Sequence, residues 1–145
     1  MKVLFDTSVI IAASLPKHPS HAPCFVQLQA AKLSQIQGCL STHSLAELYS
    51  VMTRMPSQPR MAPQAARTLV ESYLQYLEAI PLETADYQAE IAQMTALNLP
   101  GGGVFDALIA QAALKVSADR ILTLNPSHFT RLNAAIAQNT QVPGQ

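Results

Sequence analysis

The feature that most constrains this chain is a short apolar run near its start, Val3-Leu4-Phe5, which stops abruptly at Asp6-Thr7-Ser8. A strand without polar alternation has both faces covered, as in a parallel sheet packed between helices. Runs of the same kind recur at Gly38 to Ser41, Ile80 to Leu82 and Ile121 to Leu124, and longer helical stretches separate them. Such alternation implies βαβ units and an α/β fold, a central, mostly parallel sheet flanked by helices.

The intervening helices are expected from apolar spacing and from their stops. Ser20 to about Gln35 carries Phe25, Leu28 and Leu33 before Gly38. Thr42 or Ser44 can cap the next helix, which runs to about Met55 on a face of Leu45, Leu48 and Met52 and ends at Pro56 and Pro59. Pro63 opens a helix to about Glu78 with Leu69, Tyr73, Tyr76 and Leu77 on its stripe, which suits core or a subunit interface better than base stacking. Thr84 caps a helix to about Asn98, stopped by Leu99-Pro100-Gly101. After glycines 101 to 103, Val104 to Ser117 places Asp106, Ile109, Ala110 and Ala113 on one inward stripe. Phe129 and Leu132 indicate a short helix, and the tail to Gln145 has room for an edge strand.

The 145 residues, without internal repeat or linker, are expected to form one domain over residues 1 to 145. Charged residues are only 12 %, about half the ~25 % of ordinary soluble domains, so a partner is expected to cover part of the surface. Net charge is zero, which gives no global field toward nucleic acid. Arg54, Arg60 and Arg67 fall within one stretch that can form a local basic patch, although solvated helix faces commonly look this way. Cys24 and Cys39 are embedded in apolar sequence and read as buried free thiols. No apolar run is long enough to cross a bilayer and the start lacks a signal peptide's pattern, so a cytoplasmic protein without membrane contact is expected.

Ligands of open parallel sheets bind at the carboxyl ends of the strands. Asp6 ends the first strand, Glu47 lies about one turn into the helix after the second, and Asp106 opens an inward-facing helix. Three of only nine acidic residues thus head for one edge. Like charges gathered in a partly desolvated cleft call for a cation, and hard oxygen ligands select Mg²⁺ or Mn²⁺. Such an ion polarises a phosphodiester and activates water, so the implied reaction is phosphodiester hydrolysis. Each acid also has a plainer reading. Asp6 can begin a turn, Glu47 can close a capping box with Ser44, and Asp106 can complement a helix dipole. His18, His21, His43 and His128 share no metal-ligand spacing and read as solvated or structural.

Asp6-Thr7-Ser8-Val9 after a first strand, Glu47 in Ala-Glu-Leu, Asp106-Ala107-Leu108-Ile109-Ala110 opening a helix, and Thr123-Leu124-Asn125 before His128-Phe129 together resemble the successive motifs of PIN-domain ribonucleases. The likeness covers about residues 1 to 130, and the single-domain layout is most similar to VapC-type toxins of toxin–antitoxin pairs. The resemblance implies a Rossmann-like, three-layer fold and an RNA substrate. It makes Asp6, Glu47 and Asp106 metal ligands, with Thr7, Ser8 and Thr123 as supporting hydroxyls, and implies a homodimer and a cognate antitoxin. Asn125 stands where many relatives carry a fourth acid. It can orient a ligating water without adding charge, so one ion is expected in the absence of substrate. Two rivals remain: a catalytically weak or inactive module that binds RNA or protein, and a phosphoacceptor receiver domain. The latter's acidic pair after the first strand and late lysine are absent.

Overall fold

A computed structural model describes residues 1–56 and 60–145, so Pro59, expected to help end a helix, lies outside the described residues. Five strands form one sheet in the order β3-β2-β1-β4-β5, every neighbouring pair parallel. They are β1 (Lys2–Phe5), β2 (Gln37–Ser41), β3 (Glu78–Ile80), β4 (Arg120–Leu122) and β5 (Thr140–Gln141). The helices are α1 (Thr7–Ser14), α2 (His21–Lys32), α3 (Thr42–Arg54), α4 (Pro63–Tyr73), α5 (Thr84–Ala96), α6 (Gly103–Lys115), α7 (Pro126–Thr130) and α8 (Ala134–Asn139).

The period-two geometry of strands divides the apolar side chains between two layers. Val3, Phe5, Leu40 and Leu122 face a core closed by Val9, Ile10, Leu28, Leu48 and Tyr73. Leu4, Cys39, Ile80 and Ile121 face the other, closed by Met94, Phe129, Ile136 and the alanines of α6. Ala107, Ala110, Ala112 and Ala113 are all buried, and their small side chains let α6 lie close to the sheet. The α/β class and the three layers are as expected. Cys24 and Cys39 are free and buried.

Several boundaries differ from expectation. β3 covers Glu78–Ile80 instead of Ile80 to Leu82, because α4 stops at Tyr73. β4 stops at Leu122 instead of Leu124. The strand-to-helix turn of α3 falls on Ser41, whose side chain accepts the His43 N–H at 3.1 Å, so neither Thr42 nor Ser44 is the cap. Glu83 caps α5 in place of Thr84, in a reciprocal box with Asp86. α5 stops earlier than expected, with Asn98 in the left-handed region at φ 54° and the Leu99 N–H donating to the Met94 carbonyl. The helices α1 and α8 have no counterpart in the sequence expectation.

Candidate active site

The chain passes from β1 to β2 and β3 on one side, then returns to place β4 on the other side of β1. Such a reversal opens a crevice at the carboxyl ends of the two strands. Phe5 and Leu122 are register partners, so the residues that follow them, Asp6 and Thr123, meet at the crevice. The Asp6 N–H extends the ladder by donating to the Leu122 carbonyl at 2.9 Å.

Asp6 is 3 % exposed. Ser8 Oγ and Thr123 Oγ1 donate to its Oδ2 at 2.7 and 2.8 Å. Asp6 occupies the position before α1, yet its side chain makes no capping bond, so the turn-forming reading does not account for its placement. Burial pushes its carboxyl up to about 6, even though the Ser8 and Thr123 hydroxyls pull it down, and the charges of Asp106 and Glu47 add to the rise. The supporting hydroxyls are themselves tied to the backbone. Ser8 Oγ accepts the Leu124 N–H at 3.1 Å and Thr123 Oγ1 accepts the Asn125 N–H at 3.0 Å.

Glu47 projects from α3 toward the same crevice. Its Oε1 lies 2.7 Å from Thr7 Oγ1, and since a carboxylate only accepts, the Thr7 hydroxyl donates. Ser44 Oγ is 2.8 Å from Thr7 Oγ1 and completes this small network. With Ser41 as the cap, Glu47 is too far along the helix to return a bond to it, so the capping-box reading is corrected. His43 Nε2, buried and without a hydrogen-bond partner among the described residues, stands 3.8 Å from Glu47 Oε1.

Asp106 lies in the first turn of α6, half-buried, with His128 Nδ1 2.9 Å from its Oδ2. Burial raises its carboxyl, His128 and Arg131 pull it down, and Glu47 pushes it up. Asn125 precedes α7 and is exposed; among the described residues its side chain makes no hydrogen bond to the acids. Arg54, Arg60 and Arg67 are exposed on the stretch that joins or forms α3 and α4.

The three acids share one electrostatic neighbourhood: the charges of Asp106 and Glu47 both raise Asp6, and that of Glu47 also raises Asp106. It is not a closed cage: among the described residues, no three Asp, Glu, His or Cys side chains stand ready to ligate one ion as positioned. An open set of oxygen donors fits Mg²⁺ or Mn²⁺, which keep several waters and take one or two carboxylates directly. It does not fit zinc's closed nitrogen and sulfur sites.

Residues 3–134 match the PIN domain, and the chain belongs to that family. Within it, similar sequences are VapC ribonucleases. Ribonuclease VapC27 of Mycobacterium tuberculosis is 36 % identical over 79 % of this chain and 78 % of its own length. Ribonuclease VapC40 of the same species is 30 % identical over 81 % and 82 %. The fold matches VapBC2 of Rickettsia felis bound to a promoter DNA fragment, with TM-score 0.70, 21 % identity and 99 % of both chains covered. It also matches VapC20 of M. tuberculosis, a sarcin–ricin loop cleaving toxin, with TM-score 0.63, 15 % identity and 82 % and 86 % covered.

Four further residues lie at this edge: His43 and His128, expected to be solvated or structural, and Phe105 and Arg131, which the sequence did not single out. His43 and His128 carry no ligand spacing, and their partners Glu47 and Asp106 are set by helix geometry and by tertiary packing. The signal that pointed to His128 was its position in the run from Thr123 to Phe129.

Proposed function

We propose that this chain is a metal-dependent endoribonuclease, the toxin of a toxin–antitoxin pair, whose site is built on Asp6, Glu47 and Asp106. The observation that carries this reading is a buried aspartate near two further carboxylates, at the sheet's switch point, where Asp6 itself is held by hydroxyls and pairs with no protein cation among the described residues. The names of the VapC ribonucleases support the activity, and FitAB and VapBC2 complexes among the fold matches support an antitoxin partner. We extend the reading to a homodimer of a single domain over residues 1 to 145, acting in the cytoplasm. Among the described residues no helix is long and apolar enough to cross a membrane.

A bound Mg²⁺ or Mn²⁺ supplies charge to the phosphate and lowers the pKa of attacking water. The chain's own residues prepare for it. Ser8 and Thr123 fix the Asp6 carboxylate, and Thr7 turns Glu47 inward. His128 anchors Asp106 and leaves that acid's other oxygen available. Asn125 offers a neutral amide at the rim, where it can orient a water. That lack of a fourth charge favours the second reading, a weakly active or inactive binding module. The test is cleavage of structured RNA by protein freed of antitoxin. Activity with Mg²⁺ that stops on adding EDTA is expected. Undiminished activity in Asp6→Asn or Asp106→Asn overturns the assignment.

A further inference from the structure

Phe105 directly precedes Asp106 in α6 and is 48 % exposed. One of its faces lies against the His43 imidazole, with ring centroids 5.2 Å apart and planes only 4° from parallel. His43 sits in α3 beside Glu47. Two near-parallel rings thus bridge the helices that carry two of the acids, one ring held against protein and the other open to solvent. This is the arrangement that a third flat ring extends.

We infer that Phe105, braced by His43, is a stacking platform for an unpaired base of RNA next to the phosphate at the acid cluster. The inference rests on the ribonuclease reading of this site. Unpaired bases are bound by stacking on aromatic side chains, tolerant of sequence because every base has a π face. The larger purine ring covers more of the phenyl, so a purine is preferred there. The immediate junction with Asp106 favours a nucleotide over a protein partner, since a base on this ring keeps its own phosphate within reach of the acids. Phe25 provides an internal contrast. It is 43 % exposed and also packs on a histidine, His21, but its rings are tilted by 30° and it lines a groove with Ala13, Leu28 and Tyr73, beyond the far end of α1 from Asp6.

The test uses the full chain carrying Asp6→Asn and short RNAs with 2-aminopurine at successive positions. Quenching of the probe is expected at one position. Adding Phe105→Ala removes the quench and weakens binding about tenfold or more. Phe105→Leu, which keeps the apolar bulk, behaves like alanine, Phe105→Trp restores both signals and Phe25→Ala changes neither. Equal quench and affinity with Phe105→Ala or Phe105→Leu overturn the platform. So does a Phe105→Ala loss confined to the antitoxin complex, which assigns the ring to a protein interface. If the unmodified chain cuts no RNA yet quenching persists and depends on Phe105, the platform stands and the cleavage reading falls.

Discussion

Asp86 and Asp6 are both buried aspartates at helix starts, in opposite electrical surroundings. Asp86 accepts the Glu83 N–H, Lys115 Nζ at 2.7 Å and the Gln111 amide at 3.0 Å, and these partners hold its carboxyl down at about 2. Asp6 receives two neutral hydroxyls and faces two other acids, and burial lifts it to about 6. A carboxylate completed by a protein ammonium ties α5 to α6 and has no need of a further cation. One that is buried without such a partner is costly to ionise, and a cation from outside removes that cost. The difference supports the proposed assignment of Asp6 to a site and of Asp86 to the fold.

The largest effect expected from this contrast is on cleavage. Asp6→Asn lowers RNA cleavage by roughly a hundredfold or more, as loss of charge stabilisation at a reacting centre does, whereas Asp86→Asn leaves it within about twofold. Initial rates on one RNA, for folded proteins at equal concentration, check both. The next effect is on melting. Mn²⁺ at about a hundred times its dissociation constant adds about 3 kcal/mol, which raises the melting temperature by roughly 5 to 10 °C in a chain of this size. The rise is expected to vanish in Asp6→Asn and persist in Lys115→Met.

A comparable effect, of opposite sign at the two sites, is expected in pH dependence without metal. The raised Asp6 carboxyl binds its proton more tightly in the folded state. Its contribution is full below the ordinary value of 3.8, is lost as pH rises toward about 6, and is on the order of 3 kcal/mol. The lowered Asp86 carboxyl contributes stability above 3.8 that is lost as pH falls toward about 2. Urea titrations from pH 3 to 7 are expected to show less loss of stability between pH 4 and 6 in Asp6→Asn, and less acid sensitivity in Asp86→Asn. The smallest effect is at the rim: Asn125→Asp adds one charge and strengthens Mn²⁺ binding by a few-fold, as charge count does in oxygen sites.

Most of the sheet was legible because β1, β2 and β4 each carry a short apolar run that is buried, and such runs have few other uses. α1 was not, since Val9-Ile10-Ile11 is a continuous apolar run and an eight-residue helix packed against the sheet, α2 and α3 shows no clear stripe. α8 is too short to carry a period, whereas β5 is the edge strand expected in the tail. At the site, Asp6 stood out through its apolar flanks, and Asp106 through its place on an inward stripe. Glu47 was ambiguous in sequence because Ser44 offers a formal box, and only the strand's end at Ser41 moves the cap away. His128 meets Asp106 across 22 residues, and the parallel seating of Phe105 on His43 joins two helices. Both depend on how the layers pack, which no local pattern records.

The contrast comes to a point in calorimetric titration of metal-free protein with Mn²⁺ near pH 7.5. One binding site is expected, kept in Asp86→Asn and lost in Asp6→Asn. Equal binding by the unmodified chain and Asp6→Asn, or no binding by either, contradicts the claim that the buried acid at the switch point is completed by a metal ion.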